Sequence, residues 1–178
     1  MPESQAPTSG PVHPPPAPPR LVVAAAIVDS LSRPTALLCA ARSYPPALAG
    51  RFELPGGKVE PGEDPRAALD RELAEEIELR VRYGEELVAP PHLAVAPPGL
   101  APAWPILAGL RMRVWLAEAD PAGQRARAGA DHEELRWAPL ASLLDLPWLE
   151  ADIPIVEALQ AHLGLRPARG REDHPPLS

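Results

Sequence analysis

GKVEPGEDPRAALDRELAEEIEL, residues 57–79, is the stretch from which the architecture follows. Asp64 followed by Pro65 marks a helix start. The aspartate side chain accepts from free backbone N–H groups, and proline at the first helical position loses nothing there. At about 100° per residue, Leu69, Leu73 and Ile77 form one apolar stripe, and Glu72, Glu75 and Glu76 gather on an adjoining face roughly a right angle away. One face packs and the other presents acid.

Carboxylates roughly 5–6 Å apart on a helix repel by about 1 kcal/mol per pair in water and by more in a partly enclosed site. A cation relieves that repulsion, and oxygen ligands without His or Cys favour a hard divalent ion, Mg²⁺ or Mn²⁺. Taken alone, an acidic helix face is more often simply solvated. The flanking residues decide between the two readings.

The run resembles the Nudix signature: Gly, five residues, Glu, seven residues, then Arg-Glu-aliphatic-x-Glu-Glu-x-Gly-aliphatic. Gly57, Glu63, Arg71, Glu72, Leu73, Glu75, Glu76 and Leu79 fall in place, and Glu78 stands where the family has glycine. That departure bears on how the helix ends. Glu78 either adopts a strained left-handed conformation, which costs a residue with a Cβ roughly 1–2 kcal/mol, or the helix runs on and closes nearer Gly84. Upstream, residues 48–60, LAGRFELPGGKVE, look like the entrance to MutT-like nucleoside triphosphate pyrophosphohydrolases, the branch acting on cytidine and oxidised guanine nucleotides.

The resemblance implies an α/β fold, a Nudix-type α/β/α sandwich with a mixed β-sheet, over residues 20–165. It implies Glu72 as general base, with Glu72, Glu75, Glu76 and the Gly56 carbonyl around Mg²⁺, for which Mn²⁺ can substitute. Gly57, Glu63 and Arg71 then support the box, the last two as an ion pair. Arg42 matches a family arginine that contacts phosphate. Lys58 is the single lysine among 17 basic residues, and its compact ammonium suits point contact with phosphate oxygens. Downstream, Asp131 matches a further metal-binding carboxylate, beside His132 and with Glu133 and Glu134 as close competitors. Asp152 precedes the apolar pattern Ile153, Ile155, Val156, Leu159 and Leu163, so it reads as a helix N-cap. It also resembles the residue with which the MutT branch reads the base, and an ionised carboxylate favours a base edge bearing donors.

The implied reaction is metal-assisted hydrolysis of a nucleoside triphosphate to monophosphate and pyrophosphate. An ADP-ribose or nucleotide-sugar pyrophosphatase and a catalytically silent Nudix module are the alternatives. The intact acids of 71–76 speak against silence.

A formal net charge of −7 with a pI near 5.2 disfavours a polymer nucleic-acid partner. Cys39 is the sole cysteine, which excludes a disulfide framework and a thiolate zinc site. The apolar run 21–28 is too short to span a bilayer, so a cytoplasmic chain without a membrane partner is expected. The 27 prolines, about three times ordinary usage, cluster in 1–19, read as a disordered arm, and in 90–105, read as a long surface loop; 166–178 reads as a flexible tail. Between them strands are expected near 21–28, 36–41, 87–95, 110–118 and 134–138, with a second helix near 153–163.

Overall fold

The computed structural model describes residues 20–165, so the N-terminal arm and C-terminal tail lie outside the described residues. In chain order the elements are β1 (Leu21–Ile27), β2 (Ala36–Arg42), β3 (Phe52–Glu53), β4 (Gly56–Lys58), α1 (Pro65–Ile77), β5 (Val81–Glu86), β6 (Trp104–Pro105), β7 (Arg111–Ala119), β8 (His132–Pro139) and α2 (Ile153–His162). Short 3₁₀ turns at Leu107–Gly109 and Leu140–Asp145 complete them.

A mixed sheet runs in the order β4-β1-β7-β5, with β6 on the end of β7. Its centre is the parallel pair β1 and β7, and its other pairings are antiparallel. A second sheet, β3-β2-β8, is antiparallel. The Val28–Leu37 bridge joins the two sheets.

The near-continuous apolar run of β1 has a simple cause: both its faces are covered. Val23, Ala25 and Ile27 pack with Leu69, Leu73 and Ile77 of α1. The alternate residues Ala24, Ala26 and Val28 pack with Ile155, Val156 and Leu159 of α2. The two-residue period of the strand thus builds two cores, and the α/β/α sandwich follows from it.

Helix α1 begins as expected, with Asp64 accepting from the Arg66 and Ala67 amides at 2.9 and 3.1 Å. It ends on a left-handed Glu78, φ 52° and ψ 35°, so the first alternative for the missing glycine holds. Gly84 instead lies within β5, where a Cβ would come within 2.9 Å of a Leu31 methyl.

The strand expected at 87–95 is displaced to β5, Val81–Glu86. Pro90 and Pro91 deprive the later segment of ladder donors, and it turns instead, with Leu93 N–H donating to Pro90 O at 2.9 Å. The charged VRYGEE hides its pairing with β7 because its apolar alternation is poor. The 90–105 loop is anchored within the molecule by Trp104, which is buried and donates Nε1–H to Leu87 O at 2.8 Å.

Candidate active site

Between the edge of β1, the β4 turn, α1 and the start of α2 lies a cleft of about 480 Å³. Its floor is β4. A Cβ at Gly56 would overlap the Val23 carbonyl oxygen, and one at Gly57 would occupy the space of the Glu72 carboxylate. The glycine pair therefore lets β4 sit directly against β1 and leaves Glu72 folded onto the turn.

One end of the cleft is acidic. Glu72 and Glu76, one helical turn apart on α1, face Asp131 and Glu53 across it. Burial pushes the Glu76 carboxyl up to about 7, and the charges of Glu72, Glu53 and Asp131 push the same way while His132 opposes. The carboxylate oxygens here are donors of the kind a divalent cation of the Mg²⁺ type takes, with the His132 ring beside them, although among the described residues no three such side chains are already gathered as a ready-made metal site. The Cβ-free backbone at Gly56 brings its peptide to the same floor.

Glu75 does not line the cleft. It lies about 100° round the helix from Glu76, its side chain is 63% exposed, and it sits 3.5 Å from Arg71. Arg71 is the bracket of the box. Its Nε and Nη2 donate to the two Glu63 oxygens at 3.0 Å each, Nη1 donates to Glu72 Oε1 at 2.9 Å, and Nη2 reaches Lys58 O at 3.2 Å. These bonds hold the Glu63 carboxyl below its ordinary range and raise the Arg71 guanidinium. The expected ion pair between Glu63 and Arg71 is present and extends to a glutamate of the cleft.

Lys58, at the end of β4, is exposed and lines the cleft. Arg42 also lines it but is engaged: Nη1 donates to both Glu53 oxygens at 2.9 and 2.7 Å, and Nε donates to Tyr44 O. Of the downstream acids Asp131 lines the cleft, whereas Glu134 is bonded to Arg136.

The other end is apolar, walled by Ile106, Leu107, Leu110, Met112 and Leu149, with Asp152 at its base. Asp152 does not cap α2. Its backbone is helical, φ −85° and ψ −22°, and its side chain makes no capping bond. Pro154 in the first turn already removes one N–H that a cap would serve. The carboxyl is buried, and Oδ1 has no hydrogen-bond partner among the described residues. Burial first, and the Glu53 charge second, push it up to about 7, against a Leu54 backbone hydrogen bond and the charge of Arg42.

Glu53 went unassigned in the sequence and proves to be a hub. It binds Arg42 on one side and His132 Nε2, at 3.2 Å, on the other. The signal was present: a lone glutamate between Phe52 and Leu54, both buried, immediately before the glycine turn.

A model of the NUDIX domain matches residues 18–159 of this sequence. The chain belongs to the Nudix family. A Mycobacterium tuberculosis protein with the provisional name 8-oxo-dGTP diphosphatase 2 is 41% identical to this Nudix chain over 140 residues, covering 75% of it and 82% of the relative. The CTP pyrophosphohydrolase of Escherichia coli is 32% identical over 146 residues, covering 82% and 96%. The solution structure of the E. coli ORF135 protein superposes with a TM-score of 0.61 at 31% identity, covering 84% of this chain and 94% of that one. The Nudix hydrolase is accordingly a nucleotide pyrophosphohydrolase. Among the described residues no helix is long and apolar enough to cross a membrane.

Proposed function

We propose that this Nudix hydrolase is a Mg²⁺-dependent nucleoside triphosphate pyrophosphohydrolase that releases monophosphate and pyrophosphate from oxidised guanine or cytidine-type nucleotides. The observation that carries the reading is the division of one cleft into a carboxylate end and an aliphatic end with a single buried carboxyl. A polyphosphate and a base require those two environments side by side. The names borne by the mycobacterial and E. coli relatives support the same substrates.

Glu72, Glu76, Asp131 and the Gly56 carbonyl would hold the ion, with Glu75 available from the adjoining face of α1. When bound, Mg²⁺ or Mn²⁺ neutralises the polyphosphate and orients it for substitution at phosphorus. Glu72 acts as general base. Arg71 fixes its Oε1, so Oε2 takes the proton of the attacking water as the new P–O bond forms and the bond to the bridging oxygen breaks. Lys58 contacts phosphate oxygens from the cleft floor, and Arg42 adds positive charge from its wall while tied to Glu53. The Ile106–Leu110 wall excludes water around the base, and Asp152 reads the base edge by hydrogen bonding. The working partner is a free nucleotide in the cytoplasm.

The experiment is product analysis by chromatography with Mg²⁺ across 8-oxo-dGTP, dCTP, 5-methyl-dCTP, the ordinary dNTPs, ADP-ribose and UDP-glucose. Monophosphate plus pyrophosphate from an oxidised guanine or cytidine-type triphosphate is expected. Cleavage of ADP-ribose or UDP-glucose alone would move the enzyme to sugar nucleotides, and no turnover of any compound would leave a silent module.

A further inference from the structure

Helix α1 ends without enough intrahelical donors for its last carbonyls, as every helix does. Here the segment leading into β8 supplies them. Arg127 N–H donates to Ile77 O at 2.9 Å and Gly129 N–H to Glu76 O at 2.8 Å. Gln124 adds side-chain bonds, Oε1 accepting from Arg80 N–H at 3.2 Å and Nε2 donating to Glu78 O at 3.4 Å. The Glu78 carboxylate, at the position where the family has glycine, lies 3.7 Å from the Arg127 guanidinium.

Two residues beyond Gly129 the same segment delivers Asp131 to the cleft. Its other side is fixed to the end of β2: Ser43 N–H donates to Asp131 O at 2.9 Å, and Ser43 Oγ–H donates to Ala130 O at 2.8 Å. The approach at Gly129 leaves no space for a side chain, since a Cβ would lie 2.7 Å from Glu76 O and 3.4 Å from its carbonyl carbon. The backbone of the residue that bears one cleft carboxylate is therefore bonded to the segment that bears another.

We infer that Gly129 and Ser43 are positioning residues that hold Asp131 opposite Glu76, locking the two carboxylates into one cation site. The inference rests on the reading of both as metal ligands given above. Neither positioning residue reaches the substrate. Each acts through the backbone on either side of Asp131, and outer-shell groups of this kind are typically worth about 10–100-fold in metal affinity.

The test is Mn²⁺ binding to the full-length protein without nucleotide, followed by the loss of the free-ion EPR signal, alongside thermal unfolding. Gly129→Ala is expected to weaken Mn²⁺ binding on the order of ten-fold. Ser43→Ala, which keeps the backbone donor, should weaken it less, and Asp131→Asn at least as much as Gly129→Ala. Weakened binding in Asp131→Asn with unchanged binding in the other two, whatever their melting temperatures, overturns the positioning role. Unchanged binding in Asp131→Asn removes its ligand role and the positioning with it. Should Gly129→Ala fail to fold, Ser43→Ala decides. A wrong substrate assignment is read separately from the product panel and leaves the Mn²⁺ result standing.

Discussion

Each end of the cleft holds a carboxyl that burial pushes up to about 7, Glu76 at one and Asp152 at the other, but in different company. At the acidic end Arg71 bridges Glu63 and Glu72 and approaches Glu75, and a cation is the natural complement for what remains. At the apolar end Asp152 has no ion-pair partner among the described residues, and its burial favours the protonated carboxyl. Glu76 stands among other acids whose mutual repulsion a shared cation would relieve, whereas Asp152 stands against aliphatic side chains with no such cluster around it. A neutral carboxyl both donates and accepts, so Asp152 in that state can meet a base edge offering one of each.

This contrast is broken most severely by Glu76→Gln. The variant removes a charge from the crowded acid group, and kcat should fall by several orders of magnitude with the fold intact by circular dichroism. Turnover like wild type would eliminate the metal assignment. Asp152→Ala strikes the other end and should reorder the preferred bases by kcat/KM more than it lowers the best rate. An unchanged order with only a lower Tm would return Asp152 to a purely structural place.

A smaller effect isolates the Asp152 carboxyl by pH. The Asp152 carboxyl stands at about 7 in the fold against an ordinary 3.8, so between those values the unfolded chain has released the proton that the folded chain keeps. Folding then takes up a proton, and stability must fall as pH rises through that window. Urea unfolding at pH 5, 6 and 7 without divalent ions should show a shallower decline for Asp152→Asn than for wild type. Equal slopes would mean that Asp152 ionises in the fold as it does in water.

The smallest expected change lies at the helix end that serves the acidic side. Glu78→Gly relieves a left-handed Cβ worth roughly 1–2 kcal/mol and adds back roughly 0.5–1 kcal/mol of chain entropy. The exposed contact with Arg127 contributes little. A rise in Tm of about 1–4 °C is expected, and a fall would show that the Arg127 contact outweighs the strain.

The share of the acidic end that α1 carries was legible in the sequence because its parts are local. Asp64, Pro65, the Leu69-Leu73-Ile77 stripe and the box acids all lie on one helix and the turn before it, where spacing fixes direction. Even there Glu75 turned away, because a helix face is a continuum and Glu75 lies furthest round from the apolar stripe. The apolar end was far less legible. Asp152 stood out in the sequence, but Ile106, Leu110, Met112 and Leu149, which share the cleft with it, come from distant segments whose convergence depends on sheet order. Glu53 escaped for the same reason: its partners Arg42 and His132 arrive on β2 and β8, whose pairing no local pattern announces. The misplaced strand at 87–95 shows the converse, an apolar run interrupted at Pro90 and Pro91, which bring no N–H to a ladder.

Leu107 sits on a short turn at the rim of the cleft and is 71% exposed. A residue so placed contributes little to folding, so the apolar wall of the cleft can accept substitutions that the glycine floor at Gly56 and Gly57 cannot. If the proposed substrate reading holds, changes at that one turn would shift which nucleotide is accepted and leave the glycine floor and its carboxylates untouched.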